Sequence, residues 1–197
     1  MYKSFSPQLP LKAPSMLEIV RTDIARTYDY LEGGKLTKIM RCIRSPGVQV
    51  VTMLRFGQWS RQQPKLVRLI SDPIYFVVNG LLKMMWGIEI PRNVQIGSGF
   101  YIGHFGGITI SPYAVIGNNC NISQQVTIGL SGQGEKRGAP IIGNNVYIGA
   151  GAKIFGKIKV GNNTKIGANA VIHKSIPNNA IAVCSPGFKL LEAAKRN

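Results

Sequence analysis

A step of six rules this chain from Ile90 to about Val183. Ile90, Ile96, Ile102 and Ile108 form one run, and Ile110, Ile116, Ile122 and Ile128 a second, offset by two. Ile142, Ile148, Ile154, Val160, Ile166 and Ile172 form a third. Two residues before many of these stands a small or modest side chain, as at Ala114, Cys120, Val126, Val146, Ala152, Thr164 and Ala170. A helix repeats every 3.6 residues and a strand every two, so neither produces six. Six is the hexapeptide period of a parallel β-helix, in which each hexapeptide gives one short flat strand and one corner. Three hexapeptides close a three-sided coil, so about eighteen residues advance the chain by one layer. The recurring isoleucine then points inward and stacks on its equivalents above and below. Gly and Asn suit the corners because they tolerate positive φ. Gly117-Asn118-Asn119, Gly143-Asn144-Asn145 and Gly161-Asn162-Asn163 repeat that corner chemistry. An ordinary β-sandwich would leave three in-phase runs as coincidence.

The repeat divides the chain into an extended arm (1–14), a helical N-terminal part (15–88), the coil (89–184, with a loop at 130–139) and a tail (185–197). In the arm, Pro7, Pro10 and Pro14 discourage helix. Ser15 and Glu18 have capping-box spacing and open a helix along Leu17, Val20, Ile24 and Leu31. Shorter helices are predicted near 36–43 and 48–61. Ser71-Asp72-Pro73 reads as a cap with proline in the first turn, opening an apolar helix through Trp86. That helix is too short to span a bilayer comfortably. Burial against other helices or subunits is expected for it; docking on a membrane surface, helped by Arg61, Lys65 and Arg68, is the alternative.

Net charge is +16, contributed by both parts of the chain, which favours anionic partners such as cofactor phosphates or an acidic membrane face. A nucleic-acid partner is not expected, because aromatic-basic interleaving and a recognised motif are lacking. The three cysteines, Cys42, Cys120 and Cys184, are odd in number and widely spaced, and no signal peptide precedes them. A cytoplasmic setting is expected. Two histidines and scattered cysteines give no zinc-ligand spacing, so no metal is expected.

His104 is the candidate for chemistry. It lies in Gly103-His104-Phe105-Gly106-Gly107, where the period slips by two. An imidazole there can take a proton from an alcohol attacking a carbonyl, and a carboxylate can orient it. Glu89, fifteen residues earlier, is a candidate for that carboxylate. A solvated corner histidine is the competing reading. The run Leu130–Ala139 interrupts the repeat, since Ile128 and Ile142 are fourteen residues apart where twelve would keep step. It is glycine-rich and basic, with Lys136 and Arg137, and suits phosphate or carboxylate. His173, near the end of the coil, reads as structural.

From about Leu17 to Leu191 the chain resembles the hexapeptide acyltransferases, and serine acetyltransferase in particular. The resemblance is carried by Gly87-Ile88-Glu89-Ile90, Ile102-Gly103-His104, Gln125-Val126-Thr127-Ile128-Gly129 and Ile148-Gly149-Ala150-Gly151-Ala152-Lys153. It implies a left-handed β-helix, a homotrimer with sites between subunits, and acetyl transfer from acetyl-CoA to an acceptor hydroxyl. His104 would be the general base and Glu89 its orienting acid. Amides near Gly129 and Ala150 would meet the pantetheine arm, and Lys153 or Lys165 the CoA phosphates. Arg137 and Glu32 match positions that bind substrate.

The chain departs from the serine pattern in several places. Gly103 stands where the family has Asp, and Arg137-Gly138-Ala139-Pro140 lacks the loop histidine. Ala139-Pro140-Ile141-Ile142-Gly143 looks more like acetyltransferases of capsule and exopolysaccharide synthesis. The expected acceptor is therefore a sugar of a surface polysaccharide precursor, met at the inner membrane face. L-serine is the alternative, and a non-catalytic binding scaffold a remoter one.

Overall fold

The computed structural model describes residues 15–184. The arm and the tail lie outside the described residues. Four helices lead into the coil: α1 (Met16–Tyr30), α2 (Lys35–Arg44), α3 (Pro46–Arg61) and α4 (Lys65–Trp86). Fourteen short strands follow, from β1 (Ile88–Glu89) to β14 (Ile181–Ala182). They assemble into three parallel sheets, ordered β1-β4-β7-β10-β13, β2-β5-β8-β11 and β3-β6-β9-β12-β14. Up to β13 each sheet takes every third strand, which is what a three-sided coil requires; β14 then pairs with β12.

The register locates every irregularity in the repeat. β7 (Thr127–Gly129) aligns Thr127 with Thr109 of β4 (Ile108–Ile110), and β13 (Val171–Ile172) aligns Val171 with Lys153 of β10 (Lys153–Phe155). Both are eighteen-residue steps. The first coil is longer: Glu89 faces Thr109, two residues more than one turn. The extra pair falls between Ile102 and Ile110, around His104. The coil passing the loop is longer still, since Val115 faces Ile141. Ile142 thus sits one side on from Ile128, and the loop's excess is eight residues, not the two read from the spacing.

The core is the stacked ladder. Ile110, Ile116, Ile122, Ile128, Ile142, Ile148, Ile154 and Ile166 are buried, as are the small residues two positions before them. Cys120 is one of these. Its thiol donates to the carbonyls of Asn118 and Gly143, and burial pushes it up to about 11, so it is an inert core residue. At the corners Asn119, Asn145 and Asn163 adopt φ near +56°. Their neighbours Asn144 and Asn162 accept, through Oδ1, the backbone N–H of Asn118 and Asn144 one coil away, each at 2.7 Å. The corner amides are thereby satisfied although no strand reaches them.

The helical part packs differently. The Ser15–Glu18 capping box forms as expected. Yet the buried residues of α1 are Asp23 and Thr27, whereas Leu17 is exposed. Asp23 pairs with Arg55 of α3 at 2.9 Å, both buried, and accepts the Phe100 N–H at 2.8 Å. Arg55 also donates to the carbonyls of Ile96 and Gly97. One ionic cluster therefore ties α1 and α3 to the first coil.

Helix α4 corrects one expectation. It starts at Lys65, just after Pro64, and Ser71-Asp72-Pro73 lies inside it. Ser71 and Asp72 turn sideways: the Ser71 hydroxyl meets Ser60 of α3, and Asp72 binds Ser60, Arg68 and Arg92. Those partners claim the side chains that would otherwise cap a helix. Within one chain most of its apolar residues find no cover. Only Ser71 and Tyr75 of α4 are buried, while Leu66, Leu69, Ile70, Phe76 and Met84 are exposed. Among the described residues no helix is long and apolar enough to cross a membrane.

Candidate active site

His104 sits on the two-residue insertion, in the turn between β3 (Tyr101–Ile102) and β4, and is exposed. Both ends of that turn are pinned. On the β3 side, Tyr30 at the end of α1 stacks on Tyr101 with ring centroids 4.6 Å apart. Gly47 at the start of α3 lies so close to Ile102 that an added Cβ would meet its carbonyl at 2.5 Å. On the β4 side, Phe105 packs edge-on against Trp86, whose indole N–H donates to Gln49 of α3. Ile108 N–H donates to the Gly87 carbonyl at the end of α4. Three helices thus fix a loop that an isolated coil would leave free.

A column of corners runs on from His104. The Gly106 carbonyl accepts the N–H of Gln125, which holds φ of 60°, and the Gln124 carbonyl accepts the N–H of Gly151. Ala150 lies in that next corner and accepts the N–H of Asn169. Lys153 donates to the Gln125 carbonyl and, at 3.2 Å, to the Thr127 hydroxyl. These two bonds use two of its three ammonium N–H groups. Lys165 is exposed on β12 (Lys165–Ile166), and Gly129 closes β7.

Other predicted site residues are not brought together within the chain. Glu89 points outward from β1 and pairs with Lys83 of α4 at 2.9 Å, so its partner is not His104. Glu32 is exposed just after α1, and its backbone carbonyl accepts from Arg41 at 3.0 Å. Arg137 is exposed at the end of the short 3₁₀ turn Gly134–Lys136. The loop closes through paired hydrogen bonds between Ser131 and Gly138. A Cβ at Gly138 would lie 2.7 Å from Cβ of Lys157. His173 is exposed rather than structural. It stacks near Phe155, at 6.5 Å, and lines an open cleft of about 370 Å³ with Lys157 and Glu135.

The sequence reading missed Gln124. Among the described residues its Oε1 is the one buried side-chain oxygen or nitrogen without a hydrogen-bond partner. The signal was present: Ser123-Gln124-Gln125 stands where other corners carry Gly-Asn-Asn. A polar side chain at a corner built without Asn invites a reason.

The fold and this corner column define a hexapeptide-repeat protein of transferase type. Residues 139–174 match the family "Bacterial transferase hexapeptide (six repeats)". Serine acetyltransferase of Synechococcus elongatus is 35% identical over 153 residues, covering 77% of this chain and 59% of that protein. The Mycobacterium tuberculosis serine acetyltransferase is 35% identical over 142 residues, covering 72% and 59%. Among solved structures, Entamoeba histolytica serine acetyltransferase isoform 3 with cysteine superposes with a TM-score of 0.71. It is 29% identical, with 90% of this chain and 61% of that one covered. The Neisseria gonorrhoeae serine acetyltransferase with serine gives 0.70 at 25% identity, covering 88% and 68%. The chain is therefore a serine acetyltransferase-like hexapeptide-repeat protein, a left-handed parallel β-helix preceded by helices. It spans 59% of the length of the curated relatives named above.

These relatives correct the expected acceptor. They are serine acetyltransferases, and nothing among them points to a polysaccharide sugar. The expectation rested on Ala139–Gly143. In the structure that segment simply re-enters the coil: Pro140 is buried and its carbonyl accepts the Val115 N–H at 3.1 Å. It keeps the ladder in register and carries no information about an acceptor.

Proposed function

We propose that this chain is an acetyl-CoA-dependent O-acetyltransferase acting on L-serine, as in cysteine biosynthesis. The observation that carries the reading is the exposed His104 on a turn held rigid by α1, α3 and α4. Rigid presentation is what a base needs, because misplacement by an ångström costs rate heavily. His104 takes the proton of the serine hydroxyl as its oxygen bonds to the acetyl carbonyl carbon. The carbon–sulfur bond then breaks, and the imidazolium returns the proton to the departing CoA sulfur. Glu89 orients the ring once its carboxylate leaves Lys83. Arg137 meets the serine carboxylate and Glu32 its ammonium, each a complementary charge.

The corner column suits the pantetheine arm, an extended chain with two amides. Amides near Gly129 and Ala150 line its path, and the unpartnered Gln124 Oε1 supplies an acceptor for one pantetheine N–H. Lys165, exposed on β12, or Lys153 meets the CoA phosphates. Glu32, Arg137 and His104 lie apart in one chain, which fits a homotrimer with each site shared between subunits. A cytoplasmic setting, with peripheral contact at the inner face of a membrane, suits the charge of +16.

The test is thiol release from acetyl-CoA with L-serine as sole acceptor. Turnover should rise and saturate with serine. His104→Ala should lower kcat by about 10²–10⁴ while leaving the acetyl-CoA KM nearly unchanged. Serine-independent release, or equal losses in kcat and cofactor affinity, would sink the reading.

A further inference from the structure

Helix α2 plays no part in the site, and its packing leaves it conspicuous. Of its ten residues only Cys42 is buried. Leu36, Ile39, Met40 and Ile43 are spaced to share one side of the helix. All four face solvent, from 40% exposed at Ile39 to 75% at Leu36. The same helix carries Lys35, Lys38, Arg41 and Arg44 and no acid. From Gly33 to Ser71 the chain holds eight basic residues and no acidic one. Lys38 lies over the Tyr28 ring at 4.8 Å, and Arg41 donates to the Glu32 carbonyl. These contacts seat α2 on the end of α1 with its apolar stripe outward.

We propose that α2 docks in the plane of an anionic lipid surface. The stripe of Leu36, Ile39, Met40 and Ile43 sinks among the acyl chains, and Lys35 and Arg44, which flank it, meet headgroup phosphates. This deepens the peripheral membrane contact proposed above and rests on that reading. Charge selects the occupant. A second copy laid against α2 would oppose four cations with four more and no acid, whereas an anionic membrane supplies the missing sign. The helix is about 15 Å long, half of what spanning needs, so it lies flat. A single short amphipathic helix binds weakly. A threefold axis would set three copies of α2 at one height, and one surface would engage them together.

The test is flotation of the full chain with phosphatidylcholine vesicles, with and without phosphatidylglycerol, at low and high salt. The protein should float only with the anionic vesicles, and less at high salt. The double variant Leu36→Ser, Ile43→Ser should bind them at least about tenfold more weakly, with unchanged thermal midpoint and unchanged turnover on L-serine. Equal binding to neutral vesicles, no binding at all, or full binding by the double variant would overturn the proposal. So would loss of a lipid-free protein assembly in that variant, which would make a second copy the occupant. Turnover is measured on the same samples. Vesicle binding without turnover would refute the acetyltransferase reading alone, and turnover without vesicle binding would refute the docking of α2 alone.

Discussion

The coil and the helices hold themselves together by opposite means. The coil buries a ladder of isoleucines, each contacting its own kind one layer away, and closes its corners with Asn side chains. Any layer resembles the next, so stability is a sum of similar neighbour terms. The helices leave much of their apolar surface uncovered and attach through contacts that each occur once: Val50, Val51 and Leu54 of α3 against the first coil, and the buried ion pair Asp23–Arg55. Repetition gives the coil redundancy. The helical part has no such redundancy, and the Asp23–Arg55 pair is its most deeply buried polar contact with the first coil.

The contrast predicts its largest effect at Arg55. Replacing it with alanine leaves Asp23 buried without its counter-ion, and the Gln58 amide oxygen and the Ile96 and Gly97 carbonyls lose their donor. Breaking such a pair costs about 3–5 kcal/mol. Both tryptophans, Trp59 and Trp86, lie in α3 and α4, so fluorescence reports the helices alone. In Arg55→Ala the fluorescence midpoint should fall well below the point at which amides of β7, β10 and β13 lose exchange protection. A joint fall would mean that the coil depends on the helices, and the contrast would be wrong.

A gentler probe tests the coil. Ile154 is fully buried between Ile128 and Ile172. Ile154→Val removes one methylene and should cost about 0.5–1.5 kcal/mol. The loss should appear in exchange at neighbouring strands and leave the fluorescence midpoint in place. If fluorescence moves as far as exchange, the two regions unfold as one.

What the sequence disclosed follows the same division. In the coil each residue's environment is set by its place in a short repeat, so the inward positions, the Asn corners and the slip at His104 could be read directly. In the helices the environment is set by distant partners. Ser71-Asp72-Pro73 has the composition of a cap, but Ser60 and Arg92 claim its side chains. Glu89 has the spacing to serve His104, but its pairing with Lys83 of α4 is not written in the repeat. The periodic apolar residues of α1 point to a packed stripe, but Asp23 is what docks. Acceptor choice failed for a related reason: Ala139–Gly143 is a coil segment, and selectivity belongs to side chains that the repeat does not order.

The smallest effect concerns pH and separates the two regions once more. Asp72 gathers Ser60, Arg92 and Arg68 around its carboxylate, joining α3, α4 and the first coil. The Ser60 hydroxyl bond, with those arginines, lowers the carboxyl to about 2. An unfolded aspartate titrates near 3.9. The folded state therefore binds the proton less readily, and Asp72 stabilises it fully above about pH 4. That contribution fades as pH falls toward 2 and the carboxylate is protonated. The group is solvent-accessible, so the effect is modest and screened by salt. The fluorescence midpoint of the native chain should drop between about pH 4 and pH 2 more steeply than that of Asp72→Asn. Exchange protection deep in the coil should fall equally in both proteins over that range. If Asp72→Asn shows the full native slope, the Asp72 carboxylate contributes nothing to holding the helices on the coil, and the junction rests on Asp23–Arg55 and the apolar contacts of α3.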